Sequence, residues 1–214
     1  MACVPMTDSD GRKKGRAARK AAATRPDGKE KAKNAMMGRL VRLRPVERSD
    51  LETILRWTSD PEVTINANYE PNPKADMEKL EKKFFAPRGK EPVDAATYII
   101  VTLKGNPIGT AEYFDLTRTH NRAFIGIVIG EKDYWGRGFG RDATLVLLDH
   151  MFNGLGLHRA TARMAGYNLR AIKCLEKCGF RMEGVQREDL LVDGKYHDRI
   201  FVGLLRSEYL KHAK

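Results

Sequence analysis

Long apolar runs are missing from this 214-residue chain: no stretch approaches the roughly 18 residues needed to cross a bilayer. No apolar segment of a secretory leader follows the first residues either. Membrane insertion is not expected, and the chain is read as cytoplasmic. Cysteine is scarce as well. Cys3, Cys174 and Cys178 form no disulfide framework. Cys174 and Cys178 lie four apart on an expected helix without a histidine nearby, so no metal site is expected and both are read as small buried apolar residues. His120, His150, His158 and His197 are scattered, and none is read as catalytic. Internal repeats are absent.

Acidic residues are outnumbered, 28 against 39 Lys and Arg, for a net charge of +11. The excess is uneven: residues 1–38 hold ten Lys and Arg against four Asp and Glu, the rest 29 against 24. GRKKGRAARKAAATRPDGKEKAKNA lacks aromatics and any apolar stripe, so it cannot bury enough surface to offset its ordering entropy. Residues 1–38 are therefore expected to be a basic, flexible tail, and 39–214 the folded domain. Electrostatic contact with RNA or a ribosome through residues 12–33 is the functional reading; a solvated tail is the plain one. A start at Met36 or Met37, just before GRLVRLRP, is a further reading of that segment. Asp8 and Asp10 break the acid-poor pattern of a transit peptide.

From Arg39 the pattern becomes regular. RLVRLRPV alternates as a strand. Ser49 and Glu52 fit a capping box opening a helix that Asp60-Pro61 ends. ADMEKLEKKFFAP is a second helix, stopped by Pro87. ATYIIVTL, the turn KGNP and IGTAEYFD read as a hairpin, and AFIGIVIG as a central strand. A helix over 141–152 follows, then the strand RATARMA, a helix opened by Asn168 and closed by Gly179, and a final hairpin turning at Asp193-Gly194. The order predicts an α/β fold: a mixed sheet with helices on both faces.

Between the central strand and its helix lies DYWGRGFGRDA, with three glycines in five residues. Gly138 and Gly140 allow close approach to an anion, the following helix presents unpaired N–H groups, and Arg137 and Arg141 add charge. A dinucleotide fingerprint begun at Gly136 would need glycine at Arg141, and no P-loop pattern GxxxxGK[ST] occurs. The loop is followed at once by a helix, then a strand, then Asn168 opening a second helix.

On these stretches, together with LRPVERSDLETILRW, GNPIGTAEYFD, NLRAIKCLEKCGFRMEG and VDGKYHD, residues 39–210 resemble the GNAT superfamily of N-acyltransferases. Within it, the likeness is to the branch of ribosomal-protein-alanine and spermidine N-acetyltransferases. The resemblance implies a largely antiparallel sheet with a central splayed parallel pair, and acetyl-CoA as acyl donor. It places Ile127, Val128 and Ile129 along the pantetheine and Arg137, Gly138, Phe139, Gly140 and Arg141 at the pyrophosphate, with Trp135 and Gly136 also in the cofactor site. Asn168 would bond the pantetheine or pin the loop, and Ala171, Ile172 and Leu175 would line the thiol end. Core packing for Ile127–Ile129, and helix capping for Asn168, are the plain alternatives. The resemblance also admits a homodimer.

Three positions depart from the family: Trp135 stands where the loop often opens with Gln or Arg, a replacement common in this branch whose ring would pack under the loop. The tyrosine that protonates the leaving thiolate is replaced by Leu175, and the glutamate that opens the central strand by Phe124. Replacement candidates are Glu112, Asp115 and Tyr167. Glu112 and Asp115 differ by three, so on a regular strand they face opposite sides and only one can point at the cleft; Glu112 is favoured as the catalytic group because the resemblance to the spermidine branch implies an acid at its position. The expected activity is acetyl transfer to a primary amine: a polyamine, a protein N-terminus or a small amine. The alternative is a weakly catalytic acyl-CoA-binding protein attached to RNA or a ribosome. Glu70, Asp76 and Glu78 would suit a polyamine, but Lys74, Lys79, Lys82 and Lys83 offset them.

Overall fold

Gly38 turns the chain so that Met36–Met37 (β1) folds back on Val41–Pro45 (β2), with Met36 opposite Leu43. The domain boundary expected after residue 38 therefore falls inside a hairpin. A helix far along the chain holds this turn. The Asp142 carboxylate accepts the N–H groups of Arg39 (3.1 Å), Leu40 (2.7 Å) and Val41 (3.0 Å). A Cβ on Gly38 would run into that same carboxylate.

The computed structural model describes residues 36–67, 76–86 and 94–212. They belong to a compact unit spanning Asn34–Lys214. The basic segment at 12–33, Glu70, Lys74 and Pro87 lie outside the described residues. After β2 come the helices Leu51–Ser59 (α1), Pro61–Asn66 (α2) and Met77–Phe85 (α3). Strands Ala96–Thr102 (β3), Pro107–Thr117 (β4) and Arg122–Ile129 (β5) follow. The chain continues through Phe139–Asp149 (α4), Arg159–Ala165 (β6) and Leu169–Glu176 (α5). It closes with Arg181–Val192 (β7), Lys195–Leu205 (β8) and Arg206–His212 (α6).

Near the N-terminus two sequence expectations shift. Ser49 is exposed; the capping box instead frames the short 3-10 turn Arg48–Asp50, where Glu47 is the cap and the buried Asp50 accepts its N–H at 2.8 Å while gripping the Arg44 guanidinium through both carboxylate oxygens, at 2.6 and 2.7 Å. Asp60-Pro61 ends α1 but also begins α2. Its carboxylate accepts from Glu62 N (2.9 Å), and proline at the first helical position loses no hydrogen bond. The same dipeptide chemistry that stops one helix starts the next.

One eight-stranded sheet runs β1-β2-β3-β4-β5-β6-β8-β7. Every neighbouring pair is antiparallel except β5 and β6. Strand alternation feeds two apolar layers. Ile100, Ile108, Ala111 and Ile125 pack beneath α4 with Leu147, Leu148 and Phe152. Ile99 and Val101 pack on the opposite face with Ile54, Trp57 and Val63 of α1 and α2. The closing hairpin turns through Asp193 (φ 49°) and Gly194 (φ 74°), the paired left-handed residues of a tight hairpin.

The parallel pair is short. β5 and β6 register only at Arg122–Arg159, Ala123–Ala160 and Phe124–Thr161. From Ile125 onward the β5 edge that faced β6 has no strand partner, so the sheet opens at its centre.

Replacing Asp142 by alanine removes the acceptor of three consecutive N–H groups on one distant segment. We expect a loss of about 2 kcal/mol, with water compensating part of each bond, read as a lower urea midpoint. Asp142→Asn, which keeps one carbonyl oxygen, is expected to lose less.

Candidate active site

Where β5 and β6 part, they leave a cleft of about 840 Å³. Ile125–Ile129 form one wall, and Ala162, Arg163 and Met164 the other. Val63, Asn66 and Ala67 at the end of α2 reach it from one side of the sheet. Asn168, Ala171, Cys174 and Leu175 reach it from the other side, at α5.

The glycine loop closes one end. Gly136 and Gly138 sit at φ 71° and 89°, a conformation that side chains disfavour. Space is not the reason: a Cβ on Gly136 would meet nothing within 4 Å, and one on Gly138 would only touch Leu40 Cδ1 at 3.6 Å. Gly138 is the N-cap of α4, so its left-handed turn leads directly into the unpaired N–H groups of the first helical turn. Gly140 lines the cleft, where a Cβ would make ordinary contact with Ile129 Cγ1 at 3.7 Å. Trp135 pegs the loop to the sheet: its Nε1 donates to the Ile129 carbonyl at 2.7 Å, and the Arg170 guanidinium lies 4.1 Å from its ring centroid.

Of the loop residues expected in the cofactor site, Trp135, Gly136, Gly138, Gly140 and Arg141 line the cleft. Arg137 is not among the lining residues. Its guanidinium donates to the Asp133 carbonyl at 3.1 Å and lies against the Tyr134 and Phe139 rings. Phe139 and Ile172 pack against the core under α4. Three cations not anticipated from the sequence, Arg170, Lys173 and Lys177, do line the cleft. Their i, i+3, i+7 spacing marks one stripe of α5 and was a legible signal. With Arg141 they give the cleft that holds the helix N-terminus four cations on the loop and α5 side, a set that fits a ligand bearing several phosphates. The donor set and the open left-handed glycines thus fit the phosphate end of coenzyme A.

Asn168 serves two elements. Its Oδ1 accepts the Ala171 N–H at 3.0 Å, capping α5, while its Nδ2 donates to the Asn66 carbonyl at 2.6 Å. Beside it the Tyr167 hydroxyl donates to the Ile65 carbonyl at 2.8 Å, and its ring meets His197 edge-on at 4.9 Å. These bonds tie the end of α2 to the start of α5, across the mouth of the cleft. Tyr167 is not among the lining residues. Burial first, then the Asp193 charge, push its pKa above the ordinary tyrosine value, so its proton stays in that tie.

At the other end stands Glu112. It pairs across the ladder with Gly126, and a Cβ there would lie 3.1 Å from both Glu112 Cγ and Oε1. The carboxylate therefore lies over a residue with no side chain, at the point where the split begins, and Thr97 Oγ1 donates to its Oε2 at 3.3 Å. Asp115 is exposed at φ 52°, in an irregularity where β4 loses register with β5, and does not line the cleft. Phe114 and Phe124 stack with centroids 5.6 Å apart. Leu175 is buried and contributes only carbon. Cys178 is buried as expected, whereas Cys174 is only partly buried and lines the cleft. No cluster of three or more His, Cys, Asp or Glu that could hold a metal occurs among the described residues. No helix there is long and apolar enough to cross a membrane.

A mixed sheet whose central parallel pair splays beside a helix-capping glycine loop is the architecture of an acyl-transferring enzyme fold. The chain belongs to the GNAT acetyltransferase family: the model described as "Acetyltransferase (GNAT) domain" matches residues 40–181. It is 30% identical to the "Uncharacterized N-acetyltransferase p20" of Bacillus licheniformis over 167 residues, 78% of this chain and 93% of that one. It is 28% identical to the spermidine N(1)-acetyltransferase of Vibrio cholerae serotype O1 over 173 residues, 80% and 96% of the two chains. To the [ribosomal protein uS5]-alanine N-acetyltransferase of Escherichia coli K12 it is 27% identical over 103 residues, 48% and 53% of the chains. The crystal structure of the Vibrio cholerae spermidine enzyme with CoA and spermine superposes with a TM-score of 0.71 at 28% identity, covering 79% of this chain and 98% of that one.

Tyr167→Phe deletes one tie and leaves the ring packing. We expect faster amide hydrogen exchange at residues 63–67, with a global stability loss near 1 kcal/mol or less. Exchange confined to its wild-type rate would mean the tie does not hold α2.

Proposed function

We propose that the protein transfers an acetyl group from acetyl-CoA to a primary amine by direct attack within a ternary complex. One observation carries this reading: the unpartnered edge of β5 opens directly beside a left-handed glycine loop that caps α4. A strand edge offers N–H and C=O groups to a peptide-like pantetheine, and the loop with Arg141 offers donors to its pyrophosphate. The named relatives supply independent support, since spermidine and a ribosomal-protein alanine both present primary amines.

The chemistry needs three things from the chain. A backbone N–H on the β5 edge polarises the thioester carbonyl, a task that requires no particular side chain. Glu112, at the apex of the split, takes the proton that the ammonium must lose before its nitrogen can attack, directly or through one water. The carbon–nitrogen bond then forms as the carbon–sulfur bond breaks, and the sulfur leaves as thiolate. Leu175 cannot donate a proton, so the thiolate is protonated from solvent. A thiol of cysteine-like pKa is a workable leaving group without a dedicated acid.

Addition of acetyl-CoA should raise the melting temperature, and a thiol-reactive dye should record CoA release when a substrate amine is present. Failure to bind acetyl-CoA would sink the reading. Arg141→Gln is expected to weaken acetyl-CoA binding about tenfold at low salt, and less at high salt, where screening already weakens the contact. Glu112→Gln should lower kcat on the order of 100-fold while leaving acetyl-CoA affinity unchanged; an unaltered kcat would remove Glu112 from the mechanism.

A further inference from the structure

We propose that Lys173 and Lys177 on α5 read the ribose 3′-phosphate of coenzyme A, so that the acyl donor is free acyl-CoA and not a thioester lacking that group. The inference rests on the acetyl-transfer reading above and names the class of donor for that site. A 3′-dephospho-CoA thioester, or an acyl group held on phosphopantetheine alone, presents the same reacting carbonyl without the second phosphate.

Coenzyme A carries phosphate in two places, a pyrophosphate within its chain and a monoester on its ribose. The glycine loop supplies a receptor for the first: Gly138 caps α4 in a left-handed turn, and Arg141 stands in the first turn of that helix. α5 runs beside this loop and is fixed to it at three points. Arg170 lies over the Trp135 ring, 4.1 Å from its centroid, and Trp135 in turn holds the Ile129 carbonyl. Cys174 Sγ lies 4.0 Å from where a Cβ on Gly140 would stand. Arg141 Nε donates to the Lys177 carbonyl at 3.4 Å. The helix therefore follows the loop from Trp135 to Arg141.

Along α5 the charges are sorted by side. Arg170, Lys173 and Lys177 line the cleft, whereas Glu176, the one acid of the helix, is exposed and does not. Lysines serving only solubility would need no such sorting. Arg170 is engaged by the indole ring. Lys173 and Lys177, four apart and so one turn apart on a shared face, have neither an ion-pair partner nor a ring contact among the described residues. From Arg170 to Lys177 the helix rises about 10 Å, a spread that suits two phosphate groups better than one. A phosphate monoester carries about two negative charges at neutral pH, and two unpaired ammoniums are its matching set. The division of labour follows from the chemistry of each receptor. Backbone N–H groups and a guanidinium on a rigid turn hold the bridging pyrophosphate, and compact ammoniums on flexible stems hold the freely rotating monoester. Phosphopantetheine alone would engage the loop and leave both lysines unused.

The test measures binding of three donors to the full chain by titration calorimetry at low salt: acetyl-CoA, its 3′-dephospho form and acetyl-phosphopantetheine. Acetyl-CoA should bind tighter than the dephospho form by about tenfold or more, with acetyl-phosphopantetheine no tighter than the latter. Raising the salt should shrink that ratio, since exposed charges are screened. Lys173→Gln combined with Lys177→Gln should bring the ratio near one by weakening acetyl-CoA alone, leaving affinity for the dephospho form unchanged. The corresponding pair of Lys→Arg changes, which keep the charge, should retain most of it. Arg141→Gln should weaken both nucleotide donors alike, because the pyrophosphate is common to them, and so preserve the ratio. Equal binding of the two nucleotide donors to the wild type would overturn the inference and leave acetyl transfer standing. So would a ratio that survives in the double glutamine variant. Absence of binding by every donor would overturn both.

Discussion

The early end of the β5–β6 pairing is the constraint on which the rest of this structure depends. Three register pairs hold the two halves of the sheet together, and beyond them the backbone of β5 is left without a strand partner. A buried strand edge is costly unless something satisfies it. Here the unmatched edge faces a cleft, so a ligand with amide groups can complete the sheet. Everything around the cleft serves to hold this opening: Trp135 bonds the last β5 carbonyl, and Asn168 and Tyr167 bridge its mouth.

A second set of bonds keeps the two helical layers in step with the glycine loop. Glu131, directly after β5, accepts from Trp57 Nε1 at 2.8 Å and from the Arg56 guanidinium, which together with the indole bond holds its pKa below the usual glutamate range against partial burial. Lys132 binds Asp60 at 2.8 Å and Glu62 at 3.2 Å. A Cβ on Gly130 would run into the Trp57 ring. The exposed pairs contribute little energy individually, yet they orient α1 and α2 against the loop. Asp142 does the same from the other layer, anchoring the β1–β2 turn one residue after Arg141. The two ends of the cleft are thus positioned by the same few contacts.

Much of this was legible along the chain. The β-branched alternation of β3, β4 and β5, the Asp193-Gly194 turn and the Asn168 cap appear where their local chemistry places them. Strand parity allowed only one of Glu112 and Asp115 to reach the cleft, and Asp115 is removed by a bulge rather than by alternation. Other features were not legible. Nothing local separates Arg137 from Arg141; the two left-handed glycines turn one outward onto Tyr134 and the other into the cleft. Asp60-Pro61 reads as a stop because proline ends α1, while its role as the start of α2 depends on what the next turn packs against.

By itself the sequence determined the kinds of element, their order, and the family to which they belong, because periodicity, capping and turn chemistry act over a few residues. The tertiary structure alone decided that a glycine on β5 lies beneath the carboxylate of β4, and that an arginine of β6 stands across the gap. It also decided that a carbonyl at residue 66 is met by an amide at residue 168. Those relations depend on where two strands stop pairing, which is set by packing across the whole sheet and is written in no local stretch of the chain.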